Sequence, residues 1–153
     1  SAAGYMYPSQ WLTENFKHSI RDLKNTVTMD SYDSAMAQLA SGQIDVMPEY
    51  ADARMDDAAK WTTTFGAKES IWDDTNVIGV TPAIANDGIM VSEKSKIMTA
   101  DFKKALSAAI KDMAKTDEGK KVIAIYSHDG YVDSTKADYK TAIKVANSMS
   151  KAN

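Results

Sequence analysis

The chain has 153 residues, of which 44% are hydrophobic and 25% charged, and its formal net charge is −3. This is the composition of a globular chain with a core, and it excludes disordered, collagen-like and disulfide-scaffold classes. Cysteine is absent, which removes disulfides, thiolate metal sites and cysteine nucleophiles and suits an exported protein as well as a cytosolic one. No apolar run approaches the length that spans a bilayer, and Ser1-Ala2-Ala3 carries no basic-then-apolar signal pattern. The expectation is a soluble chain whose export signal, if it has one, was removed or lies upstream.

In chain order, "GYMYPSQWLTENFK" predicts a first helix from Gly4 to Lys17, with Pro8 in its opening turns and Pro8, Leu12 and Phe16 at helical spacing. A short strand is expected around Thr26 to Met29. Tyr32, Ala35, Met36 and Leu39 then fall on one helical face, and Gly42 marks the stop. "QIDVMP" (43–48) reads as a brief strand, and a helix is expected from about Glu49 to Trp61. A loop leads to a strand at 76–81, the crossover "AIANDG" and a strand at 89–92. Three helices close the chain. Thr99 caps the first, whose apolar stripe comprises Phe102, Ala105, Leu106, Ala109, Ile110 and Met113. The second covers "DEGKKVIAIY", and the third carries Tyr139, Ala142, Ile143 and Ala146. Strands alternating with helices predict an α/β fold, a parallel or mixed sheet flanked by helices.

Charge is unevenly distributed. Residues 1–84 hold six Lys/Arg against twelve Asp/Glu, and residues 85–153 hold twelve against nine. The basic half spreads its lysines along amphipathic helices without interleaved aromatics, so no nucleic-acid partner is expected.

Enzyme signatures are missing: there is no nucleophile elbow, P-loop, dinucleotide fingerprint, zinc-protease helix or EF-hand loop. His128-Asp129, in "YSHDGYV", reads as a turn, because neighbouring side chains diverge and Asp-Gly favours one. His18 reads as a solvated residue at the end of the first helix. Asp56-Asp57 and Asp73-Asp74 lack the spacing of a cation loop and read as solvated faces. No catalytic residue, metal or cofactor is assigned.

The segments with more to say are turns: Ser1 to Tyr7, Asp30-Ser31-Tyr32, Pro48-Glu49-Tyr50-Ala51-Asp52, and Asn86-Asp87-Gly88. In open α/β sheets such turns gather at one edge, where ligands bind, and a helix N-terminus can hold an anion with backbone N–H groups. Ordinary capping and interface roles are the competing account of the same tyrosines and acids.

These turns also carry a family resemblance. "SAAGYMYPSQWL" resembles the Ser-Thr-Ser-Gly-Tyr-Leu-Tyr-Pro segment of the phosphonate- and phosphite-binding, PhnD-like branch of the type II periplasmic binding proteins that serve ABC importers. "DSYDSAMAQLASGQIDVMPEYADAR", "TPAIANDGIMVSE" and "TDEGKKVIAIYSHDGYVDSTKADY" are similar to further family segments in the same order. The resemblance spans almost the whole chain and is to the later half of such a protein.

The resemblance implies a two-lobed clamp in which the first lobe is incomplete. Residues 1–84 would be the second, ligand-clamping lobe without its first strand, 85–88 the hinge crossover, and 89–153 the C-terminal part of the first lobe. It implies a non-enzymatic, extracytoplasmic binding component, periplasmic or tethered to the outer face of the membrane. That component takes a small anionic or zwitterionic solute and delivers it to ABC permease subunits.

By position the implied ligand-binding set is Ser1, Ala2, Ala3, Gly4, Tyr5, Tyr32, Glu49, Tyr50, Asp52, Asn86 and Asp87. Ala2 and Ala3 stand where the family has Thr and Ser, and Tyr32 stands where it has an anion-contacting His. Asp52 and Asp87 fall near positions that hold the amino end of an aminoalkylphosphonate. A non-transport sensor or partner-binding domain, and an enzyme built on the same fold, are the alternatives. A lobe short of strands would expose sheet edge and apolar helix faces, so the expectation is either a self-associated chain or a proteolytic remnant of a longer one.

Overall fold

The computed structural model describes residues 1–151, and it is helical. A π-helical turn (Ala2–Met6) runs directly into α1 (Tyr7–Phe16). After a 3-10 turn at Ile20–Asp22 come α2 (Tyr32–Ala40), α3 (Ala53–Asp56), α4 (Ala58–Thr63) and α5 (Ile71–Asp74). Then follow α6 (Ala100–Met113), α7 (Asp117–Ile123), a second 3-10 turn at Ala124–Tyr126, and α8 (Lys140–Lys151). The chain divides into two compact units, one formed by Ser1–Ile84 with α8 and the other by Ala85–Tyr139.

The helix starts follow their caps. Ser31 accepts from the Ser34 N–H at 3.1 Å, Thr99 from that of Phe102 at 3.2 Å and Thr116 from that of Gly119 at 3.0 Å. Each occupies an orphan donor of a first turn. α1 ends at Lys17, which takes the left-handed conformation (φ 61°), and Gly42 does the same after α2 (φ 72°). Pro8 sits in the first turn of α1, where no N–H is required.

The expected α/β sheet is corrected: among the described residues there is no strand. Segments 26–29, 43–48, 76–81 and 89–92 have strand-like composition but run as irregular chain. β-propensity records how well a side chain packs on a pleated, half-buried surface, and it builds no ladder without a neighbouring strand and a covered face. Neither is supplied here. Val27, Val46, Ile78, Val80 and Met90 are all exposed, Met90 at 92%. In the 76–81 segment Gly79 lies against Trp11, where an added Cβ would come 2.7 Å from the ring. Only bare backbone fits there.

In the first unit the core is Met36 of α2, Ala53 of α3, Trp61 of α4 and Ile71 of α5, with Leu39, Met47 and Phe65 packed around it. Trp61 is 2% exposed and its indole N–H donates to Asp74 at 2.9 Å. A buried indole therefore keeps its polar edge satisfied. The expected helix over 49–61 begins later, at Ala53, and breaks at Asp57, whose backbone (φ −99°, ψ 2°) leaves helical geometry. Elsewhere in this unit α8 lies against α1, with Tyr7 and Val145 buried and Lys144 paired to Glu14 at 2.5 Å.

The second unit is built differently. α6 buries none of its residues, and its stripe residues Phe102 and Met113 are exposed. Ala114 and Ile123 are its buried apolar residues, and Gly119 is packed so closely on the Met113 carbonyl that a Cβ would collide with it.

Candidate functional site

The helix that starts at Ala2 begins as a π-turn, so its first backbone bond runs from the Met6 N–H to the Ser1 carbonyl at 3.1 Å. A π-turn reaches back five residues rather than four, which lengthens the run of N–H groups without an intrahelical acceptor. Ala2, Ala3, Gly4 and Tyr5 form that run. Gly4 donates to Ser1 Oγ at 3.0 Å, and the helix itself offers no acceptor to Ala2, Ala3 or Tyr5. Uncapped N–H groups at a helix start create a partial positive charge and a set of converging donors.

Tyr32, the first residue of α2, brings its hydroxyl to this turn, 2.7 Å from Ser1 Oγ. A Cβ on Gly4 would lie a tight 3.2 Å from Ser1 Oγ and in ordinary contact, 3.5 Å, with the Tyr32 ring. The two hydroxyls carry two protons between them, and one is used in their mutual bond. Whichever of them donates, one O–H remains for an outside acceptor.

Tyr50 stacks edge-on to Tyr32, ring centres 5.6 Å apart, and the two rings form an aromatic wall. The Tyr50 hydroxyl donates to Asp56 at 2.9 Å, and its ionisation is pushed up to about 12, by burial first and by that bond and the surrounding acids after it. Its backbone N–H donates to Glu49 Oε2 at 3.1 Å. Burial, followed by the nearby Asp57 and Asp33, pushes the Glu49 carboxyl up to about 7, against the lowering effect of the Tyr50 N–H.

Of the predicted set, Ser1, Gly4, Tyr32, Glu49 and Tyr50 are thus linked in a chain of contacts in the first unit, with Ala2, Ala3 and Tyr5 on the same turn. Asp52 precedes α3 and makes no side-chain cap there. Asn86 and Asp87 belong to the second unit, where the Asn86 carbonyl accepts from the Tyr139 hydroxyl at 3.5 Å. A cavity of about 130 Å³ lies between α1 and α8, walled by Tyr7, Trp11, Pro82 and the Glu14–Lys144 pair among others. It contains no member of the predicted set.

Of the acids read as solvated faces, Asp56, Asp73 and Asp74 are exposed, and Asp57 is the one that departs from that reading. Asp57 is 4% exposed and paired with Lys60 at 3.1 Å, and Lys60 also reaches Asp33 at 3.2 Å. Ser70 caps α5, accepting from the Asp73 N–H and donating its hydroxyl to the Asp73 carboxylate, and Asp74 accepts from the Trp61 indole. Asp33 and Asp57 were missed as neighbours of Glu49, and Lys60 as the cation those two acids share. The i, i+3 spacing of Asp57 and Lys60 was the signal available for their pairing.

His128 follows a left-handed Ser127 (φ 56°), its N–H donates to the Ile123 carbonyl at 3.2 Å, and its ring meets Tyr131 edge-on. Among the described residues no three His, Asp or Glu side chains converge as a metal site, and no helix is long and apolar enough to cross a membrane.

No curated protein and no solved structure matches the chain. A family model described as "ABC transporter, phosphonate, periplasmic substrate-binding protein" matches residues 1–139. This is a family of transport binding proteins rather than enzymes, and its name places its members outside the cytoplasm. With most of its length matched, the chain belongs to the phosphonate-binding periplasmic substrate-binding proteins of ABC transporters.

Proposed function

We propose that the protein holds a small phosphonate-like oxyanion at the start of its first helix and delivers it to an ABC permease. In this reading the anion's oxygens accept from the N–H groups of Ala2, Ala3 and Tyr5, near Gly4, and from the spare hydroxyl proton of the Ser1–Tyr32 pair. Tyr50 and Tyr32 wall the organic substituent. Asp52, two residues beyond Tyr50, would select a substituent carrying an amino group.

The observation that carries the reading is the 2.7 Å Ser1–Tyr32 hydroxyl pair set at a helix start with unused backbone donors. Ala2 and Ala3 supply backbone alone, so affinity for a dianion should be lower than a site with two further hydroxyls would give. Calorimetric titration with methylphosphonate, phosphite, phosphate and methanesulfonate tests the proposal. Binding of the phosphorus oxyanions that weakens in Ser1→Ala and Tyr32→Phe supports it, and equal binding by those variants removes the assigned seat.

A further inference from the structure

Glu49 is held in an unusual way for a carboxylate beside a surface turn. Its Oε2 has one donor, the Tyr50 N–H, while Oε1 is buried with no partner at all. The groups facing it are mostly of its own sign. Asp33 comes from the first turn of α2, and Asp57, itself buried, from the joint between α3 and α4. The cation paired with these two acids, Lys60 of α4, is shared between them. Asp56 is taken by the Tyr50 hydroxyl, and Asp52 lies three residues along the same turn. A charge at Glu49 would thus sit partly desolvated, with one hydrogen bond for two oxygens and two carboxylates facing it. A neutral carboxyl avoids most of that cost.

We infer that Glu49 is a proton-operated latch on the aromatic wall: protonated, it keeps the 48–52 turn folded with Tyr50 against Tyr32, and ionised, it draws the turn toward water and takes Tyr50 away. The coupling is short. Glu49 is bonded covalently to Tyr50 and accepts its N–H, Tyr50 stacks on Tyr32, and Tyr32 bonds Ser1. Burial and the facing acids raise the Glu49 ionisation to about 7, which puts the transition near neutrality. The consequence for transport rests on the anion seat proposed above, since losing the wall and gaining a negative charge both weaken anion binding. The latch itself does not depend on that seat.

The test follows the Glu49 carboxyl and the Tyr32 and Tyr50 ring signals by NMR from about pH 5 to about pH 9 in the full chain, a range that brackets the neutral transition. The expected result is a shared midpoint near neutrality, with ring signals that no longer respond to pH in Glu49→Gln. Asp33→Asn removes a facing charge and should lower the midpoint, which keeps the test open if Glu49→Gln folds poorly. An ordinary carboxylate midpoint, or rings that stay still while Glu49 titrates, overturns the latch. In a second arm methylphosphonate affinity is measured for the wild type and Glu49→Gln at each pH. The ligand's own ionisation cancels in their ratio, which should fall roughly tenfold across the transition. A flat ratio with moving rings overturns the functional consequence. Absence of methylphosphonate binding at every pH removes the anion seat, and the ring signals still decide the latch.

Discussion

The two units of this chain invest their apolar residues differently. In the first, Trp61 and Ile71 are sealed by α2 to α5, and the turn carrying Glu49 and Tyr50 leads into α3, one of the helices of that core. In the second, α6 has the regular apolar stripe of a core helix yet buries none of it. An amphipathic pattern shows which face a helix can cover, but burial depends on a partner being present. The unit that contains the proposed anion seat is therefore the one with the firmer support beneath it.

Mutation can break this contrast. Trp61→Ala should destabilise the first unit by about 3–5 kcal/mol, since it empties a core position; denaturant unfolding would measure it. Gly119→Ala should cost about 1–3 kcal/mol through collision with the Met113 carbonyl, read from helix signal in the same experiment. Phe102→Ser, on the uncovered stripe, should leave the midpoint nearly unchanged. A large loss there would mean that the α6 stripe is covered in solution, as self-association of the chain would produce, and sedimentation would reveal it.

Stability should also depend on pH through Glu49. Its carboxyl is shifted from an ordinary 4.5 to about 7, so the folded state favours the protonated form. The contribution is fully present below the unfolded value and is lost as pH rises through about 7. Thermal melting of the wild type should therefore fall between mildly acidic and mildly alkaline pH, and Glu49→Gln should flatten that fall. The smallest effects belong to the exposed pairs Lys115–Asp112 and Lys111–Asp133, whose removal should not move the melting temperature measurably.

Helices were legible in the sequence because their signals are local. Ser31, Thr99 and Thr116 each cap the helix they precede, and the α2 face of Ala35, Met36 and Leu39 does contribute to the core. The sheet was misread because strand composition at 76–81 and 89–92 specifies nothing about a pairing partner. The broken helix at Asp57 was missed because a buried aspartate paired with Lys60 is a tertiary arrangement, invisible to periodicity. The candidate site was legible in part. Turn chemistry and family resemblance pointed to Ser1, Tyr32 and Tyr50, but neither the hydroxyl pair nor the crowding of Glu49 by Asp33 and Asp57 can be read from separations of this kind along the chain.

The affinity of the seat can be sharpened as well. Ala2→Thr with Ala3→Ser would add two hydroxyls to the helix start and should tighten methylphosphonate binding, whereas Tyr32→Phe should weaken it roughly tenfold. The most direct test of the central claim is an amide NMR titration of the wild type with methylphosphonate. The account predicts that the largest shifts fall on the N–H groups of Ala2, Ala3, Gly4 and Tyr5; saturable binding that leaves those four unmoved would contradict it.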